Sequence, residues 1–98
     1  MSSTKDYRNY ILEQLKSLDK IFYKPMMGEY LLYYDGLLFG GIYDDRLLIK
    51  KVDSNKKYKM NEAIPYEGAK SMYLVDSVDN QEILVDIILD TCKGLIKK

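Results

Sequence analysis

The pair Asp35-Gly36 constrains the fold of this chain more than any other feature of its sequence. It separates two apolar, aromatic runs at residues 30–34 and 37–43. An Asp-Gly pair in this position favours a type I′ hairpin turn, which needs positive φ at both central residues. Asp44-Asp45 follows the second run and predicts another tight turn before residues 46–50. We therefore predict an antiparallel β-meander, with residues 21–24 as a candidate additional strand in front of it.

The strands of this meander are apolar on both faces. Residues 30–34 and 37–39 do not alternate between apolar and polar, as a sheet with one wet face would. Tyrosine softens this argument, because its ring can lie on a surface with the hydroxyl in water. We expect a second copy of the chain to cover the second face, with the sheet or its edge in the interface, and so predict a homodimer.

Gly40-Gly41 lies inside the strand that follows the Asp-Gly turn. A glycine pair in a strand indicates a β-bulge or the close approach of another backbone. A phosphate-binding loop is the alternative, but these glycines do not lead into a helix, and no Lys-Ser or Lys-Thr pair follows them directly. We therefore favour the bulge or the close approach.

Helical patterns flank the meander on both sides. Ser3 to Asp6 resembles a capping box, and the apolar spacing after it predicts a helix to about Leu18. Asp79 is a candidate helix start before residues 83–96, whose apolar spacing of three and four predicts a well-buried helix. Residues 71–75 are predicted to be a last strand. The fold class is α+β: an antiparallel β-meander sheet with N- and C-terminal helices packed on it, in a single domain over residues 1–98.

Composition excludes several classes of function. The 98 residues carry a formal net charge of +0, which argues against nucleic-acid binding by bulk electrostatics. No apolar run approaches the roughly 20 residues of a membrane span, and the N-terminus does not resemble a signal peptide. Cys92, the single cysteine, has no partner for an internal disulfide and is expected to be a small core residue. We expect a soluble cytoplasmic protein that does not associate with membranes.

The absence of histidine removes the commonest general base and the commonest metal ligand. Glu29 is an acid at the entry to an aromatic strand, where burial demands a partner such as Lys24, Arg46 or Lys70. A structural ion pair is favoured there over catalysis. Asp44-Asp45 has no spacing that supports a metal site. We predict no catalytic residue, no cofactor and no metal, and hence no enzyme.

Residues 66–70 form a loop whose composition packing does not explain, and we treat this loop as a candidate contact surface. The candidate interaction residues are Glu29, Tyr30, Arg46, Tyr66, Glu67 and Lys70.

One segment of the chain is rich in lysine. Lysines beside an aromatic ring are typical of a nucleic-acid site. The same residues are also typical of a solvated short helix, here capped by Asp53 or Ser54, and we favour that alternative. The candidate basic patch comprises Lys50, Lys51, Lys56, Lys57, Tyr58 and Lys59.

Two motifs in this order resemble the TfoX N-terminal domain family. The first runs from Pro25 to Gly36 and continues through residues 38–47, with the sequence PMMGEYLLYYDG followed by LFGGIYDDRL. The second is PYEGAK at residues 65–70, followed by the strand at residues 72–75. The resemblance covers essentially the whole chain.

This resemblance implies a small α+β domain similar to the secretion-chaperone fold, with a tendency to pair. It also implies a regulatory role, because the family's namesake regulates natural competence by helping a transcription activator. The namesake carries a C-terminal domain that we do not expect in these 98 residues. No catalytic residues come with the motifs.

Three hypotheses follow. The favoured one is a dimeric regulatory or protein-interaction module, with a transcription regulator among its partners. The second is a nucleic-acid-binding protein that uses the basic patch. The third is a small-molecule-binding protein or unrecognised enzyme with Glu29, Arg46 or Lys70 in a pocket.

Overall fold

A computed structural model describes residues 3–96 of the chain. The elements in chain order are α1 (Lys5–Gln14), β1 (Ile21–Met26), β2 (Glu29–Tyr34), β3 (Leu37–Ile42), β4 (Leu47–Ile49), a 3₁₀ helix (Asp53–Tyr58), β5 (Asn61–Ala63), β6 (Met72–Leu74) and α2 (Gln81–Ile96). The six strands form one sheet in the order β1-β2-β3-β4-β6-β5, and every neighbouring pair is antiparallel. This arrangement confirms the α+β class and the predicted meander.

Three tight turns connect the first four strands. Asp35 and Gly36 have φ of 51° and 82°, as the predicted type I′ turn requires, and Asp44-Asp45 has 53° and 55°. Met27-Gly28 makes a third such turn, with φ of 51° and 86°, between β1 and β2. β1 therefore extends through Pro25, which an edge strand tolerates.

The glycine pair in β3 marks both a bulge and a close approach. Leu32 pairs with Gly40 while Tyr33 pairs with Leu38, so Phe39 is the extra residue of the bulge. A Cβ atom on Gly41 would lie 2.6 Å from the carbonyl oxygen of Tyr30. The interpretation made from the sequence is confirmed, and the bulge turns the Phe39 ring into the core, where it is fully buried.

Both helices pack on one face of the sheet. Gln14 at the end of α1 donates a hydrogen bond from Nε2 to the carbonyl oxygen of Val78, 2.8 Å away, just before α2 begins. Ile11 of α1, Leu15 just after it and several aliphatic residues of α2 are buried in a single core. The core comprises Ile11, Leu15, Tyr30, Leu32, Phe39, Ile42, Leu47, Ile49, Val75, Leu84, Ile87, Ile88 and Cys92.

Several element boundaries differ from the sequence predictions. Thr4, and not Ser3, caps α1, because its Oγ1 accepts a hydrogen bond from the Tyr7 amide at 3.1 Å. α1 ends at Gln14, four residues before Leu18. The Asn80 side chain, and not Asp79, accepts from the first turn of α2. The edge strand β5 was not predicted, since the strand has only three residues and most of them are polar.

Candidate functional site

The face of the sheet opposite the two helices carries apolar side chains. Directly paired residues of antiparallel strands share a face, so the registers place a common set there. We call this surface the open face; its residues on the first three strands are Phe22, Lys24, Met26, Glu29, Leu31, Tyr33, Leu38 and Gly41. Phe22 is 62% exposed, and its ring lies 5.9 Å from that of Tyr33. The sheet is thus apolar on two faces, as the sequence indicated.

The loop of residues 64–70 covers the other half of the open face. Tyr43 and Leu48 are buried there, outside the helix-side core. The ring of Tyr66 lies 6.4 Å from that of Tyr43, and Tyr66 remains 60% exposed. The loop is therefore both a cover for the sheet and an exposed aromatic surface.

Arg46 holds this loop in place. Its Nε donates to the carbonyl oxygen of Tyr43 at 3.2 Å, and its Nη2 donates to that of Ile64 at 3.1 Å. The guanidinium thereby joins the β3–β4 turn to the start of the loop. Arg46 is half-buried, so its part in the site is to position Tyr66 rather than to present a free charge.

Glu29 does not form the ion pair that the sequence suggested. Its Oε1 accepts hydrogen bonds from the Ser3 amide at 3.1 Å, the Ser3 hydroxyl at 2.6 Å and the Asp44 amide at 3.1 Å. Within residues 3–96 it has no salt bridge to Lys24, Arg46 or Lys70. The segment before α1 and the β3–β4 turn supply these donors, two backbone amides and one hydroxyl, and they satisfy the carboxylate.

Ser3 is the residue that the sequence reasoning missed at this place. Its amide also donates to the Gly28 carbonyl oxygen at 3.0 Å, and its hydroxyl accepts from the Asp45 amide at 3.1 Å. Glu29 and Ser3 therefore connect the segment before α1 to the β1–β2 and β3–β4 turns. Ser3 and Glu29 are 26 positions apart in the sequence, so no local sequence pattern predicts this contact.

Tyr30 lies on the helix-covered face of β2 and is only 9% exposed. The Arg8 guanidinium lies 5.3 Å from the centre of its ring, and the ring of Tyr23 meets it edge-on at 5.8 Å. Tyr30 therefore packs in the core beneath α1, which corrects its assignment to a contact surface.

The remaining candidate residues surround the loop in two groups. On one side, Glu29, Arg46, Tyr66 and Glu67 line a depression of about 510 Å³. On the other side, Lys70 and Tyr66 line a concavity of about 700 Å³. The loop thus brings together residues that were selected from separate parts of the sequence, but it divides the acidic ones from Lys70.

The basic patch is largely paired with carboxylates. Lys51 lies 3.0 Å from Glu62, Lys56 lies 3.0 Å from Asp53, and Lys57 lies 3.0 Å from Asp90. Lys51 lowers the pKa of Glu62 through this contact. Residues 53–58 form the short helix that was the alternative to a nucleic-acid site, although the capping side chain is Asn55 rather than Asp53 or Ser54: its Oδ1 accepts a hydrogen bond from the Val52 amide just before the helix.

Tyr58 joins the 3₁₀ helix to α2. Its hydroxyl donates to Asp90 Oδ2. Burial, together with this hydrogen bond and the negative charge of Asp90, raises the pKa of Tyr58 to about 12. The same hydrogen bond lowers the pKa of Asp90. Tyr58 therefore has a structural partner, and Lys57 is neutralised beside it.

The remaining chemistry is sparse. Cys92 is 4% exposed, and burial raises the pKa of its thiol to about 11, so it is a small core residue as expected. In the described part of the chain, no three Cys, Asp or Glu side chains group closely enough to hold a metal ion. Neither α1 nor α2 is long and apolar enough to cross a membrane.

These features define a small α+β protein whose sheet is packed by helices on one face and partly covered by an aromatic loop on the other. The chain belongs to the TfoX N-terminal domain family, whose family model matches residues 13–80. Over 80 residues it is 31% identical to a protein from Spirochaeta aurantia described as an uncharacterized 12.7 kDa protein in the trpE 5′ region. That match covers 80% of this chain and 70% of its relative.

Proposed function

We propose that this protein is a non-catalytic regulatory or protein-interaction module that binds its partners through the open face. The observation that carries the proposal is the row of apolar side chains around Phe22 and Tyr33, which no helix within residues 3–96 covers. Phe22 is exposed there and Leu31, Tyr33 and Leu38 are half-buried, and an apolar surface patch of this kind favours protein association. The polar groups beside this surface, Glu29 and Arg46, already bond within the chain, which favours association over chemistry.

The partner that we favour for the open face is a second copy of the chain. The chain has a formal net charge of +0, so two copies do not repel one another as they approach. A sheet surface is self-complementary under two-fold symmetry, because each copy offers the same flat apolar strip to the other. A homodimer of this kind would remove Phe22 and Leu31 from water.

The regulatory part of the proposal rests on membership of the TfoX N-terminal domain family. The resemblance implies that the family's namesake acts by helping a transcription activator, and we extend a partner of that kind to this chain. A cytoplasmic location belongs to the same proposal, and the single buried thiol of Cys92 is consistent with a reducing compartment.

Nucleic-acid binding is the less favoured alternative. Lys51, Lys56 and Lys57 each lie within salt-bridge distance of a carboxylate, so fewer charges are available to phosphates than the sequence suggested. Binding through the patch would weaken steeply as salt concentration rises and would be lost when its lysines are changed to alanine.

A pull-down from extracts of the source organism tests the regulatory proposal. The baits are the wild type, Phe22→Glu on the open face and Tyr10→Glu, which changes a 41%-exposed aromatic residue on α1. We expect transcription proteins to be retained after nuclease treatment by the wild type and by Tyr10→Glu, and to be lost from Phe22→Glu. Recovery of this protein alone, or equal recovery of transcription proteins by all three baits, would contradict the regulatory part of the proposal.

A further inference from the structure

A concavity of about 700 Å³ lies between the end of β4 and the loop of residues 64–70. Lys50 follows Leu48 at a spacing of two, which places it on the open face, and it lines the concavity together with Lys70 at the end of the loop. The sequence assigned these two lysines to different candidate sets. Only the register of β4 and the path of the loop bring them to one place.

Positive charge accumulates in this concavity although the chain as a whole is neutral. Lys50, Lys51 and Lys70 line it, and none of the described residues that line it is an aspartate or a glutamate. Lys51 donates to Glu62 at 3.0 Å and to the Ser71 hydroxyl at 2.8 Å, which offsets its charge. Lys50 and Lys70 form no ion pair within residues 3–96. Two uncompensated ammonium groups at one opening attract an anion.

Flat apolar surface lies beside these charges. Tyr43 is 6% exposed and supports the more exposed ring of Tyr66, and Pro65 and Met72 complete the apolar lining. Binding sites for small molecules combine an apolar lining with a few placed polar groups in this way. Arg46 fixes the loop that carries Tyr66, so this wall is positioned before any ligand arrives.

We propose that this concavity binds a small aromatic anion, a planar ring that bears a carboxylate or a phosphate. The ring lies against Tyr66 and Met72, and the anionic group lies between the ammonium groups of Lys50 and Lys70. This site is separate from the Phe22 side of the open face, and the proposal does not depend on the protein-interaction function.

The test titrates ¹⁵N-labelled full-length protein with four probes and follows the backbone amides of Ala69 to Ser71 by NMR. The probes are 2-naphthoate and adenosine monophosphate, which combine a ring with an anion, 2-naphthalenemethanol, which has the ring alone, and inorganic phosphate. We expect at least one ring-bearing anion to shift these amides and to bind about tenfold more tightly than the neutral alcohol or phosphate. Binding of naphthoate alone identifies a carboxylate ligand, and binding of adenosine monophosphate alone identifies a phosphate ligand.

Matched variants assign the binding to this concavity. The double variant Lys50→Gln, Lys70→Gln should weaken the ring-bearing anion about tenfold, whereas Lys16→Gln, Lys20→Gln removes the same net charge elsewhere and should leave affinity unchanged. Phe22→Glu should also bind normally, which separates this site from the dimer surface. The proposal is overturned if neither anion shifts the amides up to millimolar concentration, if the neutral alcohol binds equally well, or if both lysine double variants behave alike.

Discussion

Replacing Glu29 with alanine should destabilise the fold by releasing the segment before α1. The carboxylate accepts three hydrogen bonds, two from Ser3 and one from the Asp44 amide. A hydrogen bond to a charged group contributes roughly 1.5–3 kcal/mol when it is buried. The free energy lost is smaller than three such bonds would give, because Asp44 is exposed to water and the Ser3 amide retains its hydrogen bond to the Gly28 carbonyl oxygen.

We therefore expect Glu29→Ala to cost about 2 kcal/mol of unfolding free energy, chiefly from the Ser3 hydroxyl and the lost charge. For a domain of this size, this corresponds to a fall in melting temperature of roughly 8–16 °C. Glu29→Gln keeps an acceptor oxygen and should lose only about half as much.

Circular dichroism during urea unfolding, at one fixed protein concentration, measures both variants. Glu67→Ala is the matched control, since that carboxylate is exposed and makes no hydrogen bond within residues 3–96. The double variant Ser3→Ala, Glu29→Ala should cost less than the sum of the single changes, because the two side chains share one interaction. The reasoning is refuted if Glu29→Ala unfolds within about 0.5 kcal/mol of the control, or if the two single changes add.

Two further substitutions test other parts of the account. Gly41→Ala should lower the free energy of unfolding by roughly 2–3 kcal/mol, because the new Cβ would lie 2.6 Å from the Tyr30 carbonyl oxygen. Gly68→Ala has open space around the new Cβ but a φ of +90°, and should lower it by about 1 kcal/mol. Equal losses for the two variants in urea unfolding would contradict the close approach at Gly41. Tyr58→Phe should be about 1 kcal/mol less stable than the wild type at neutral pH because the bond to Asp90 is lost. The folded pKa of Tyr58, about 12, exceeds its unfolded value of 10.0, so this advantage is complete below pH 10 and disappears as pH rises towards 12; a difference that stays constant from pH 9 to 12 would refute the assignment.

The sequence predicted the meander because its signals are local. Asp35-Gly36 and Asp44-Asp45 adopt the positive φ values that a two-residue hairpin needs, and their neighbours are strongly strand-forming. Gly28 carries the same kind of signal, but Met27 before it is not a typical turn residue, so the first turn was missed. β5 was missed because a three-residue polar edge strand exists only through its pairing with β6.

The candidate site was predictable only in part. The loop at residues 66–70 could be singled out because its composition has no packing explanation, and it lies on the surface with Tyr66 exposed. The partners of Glu29 and Arg46 are backbone groups and one serine, and these are set by tertiary structure rather than by side-chain spacing. The meeting of Lys50 with Lys70 likewise depends on strand register and loop path together.

The mass of the protein in solution tests the central claim most directly, namely that the open face associates with protein. Light scattering at tens of micromolar should give the mass of two chains for the wild type and for Tyr10→Glu. It should give the mass of one chain for Phe22→Glu, with its circular dichroism unchanged. A wild type with the mass of one chain, or a Phe22→Glu variant that remains a dimer, would contradict the assignment of the open face.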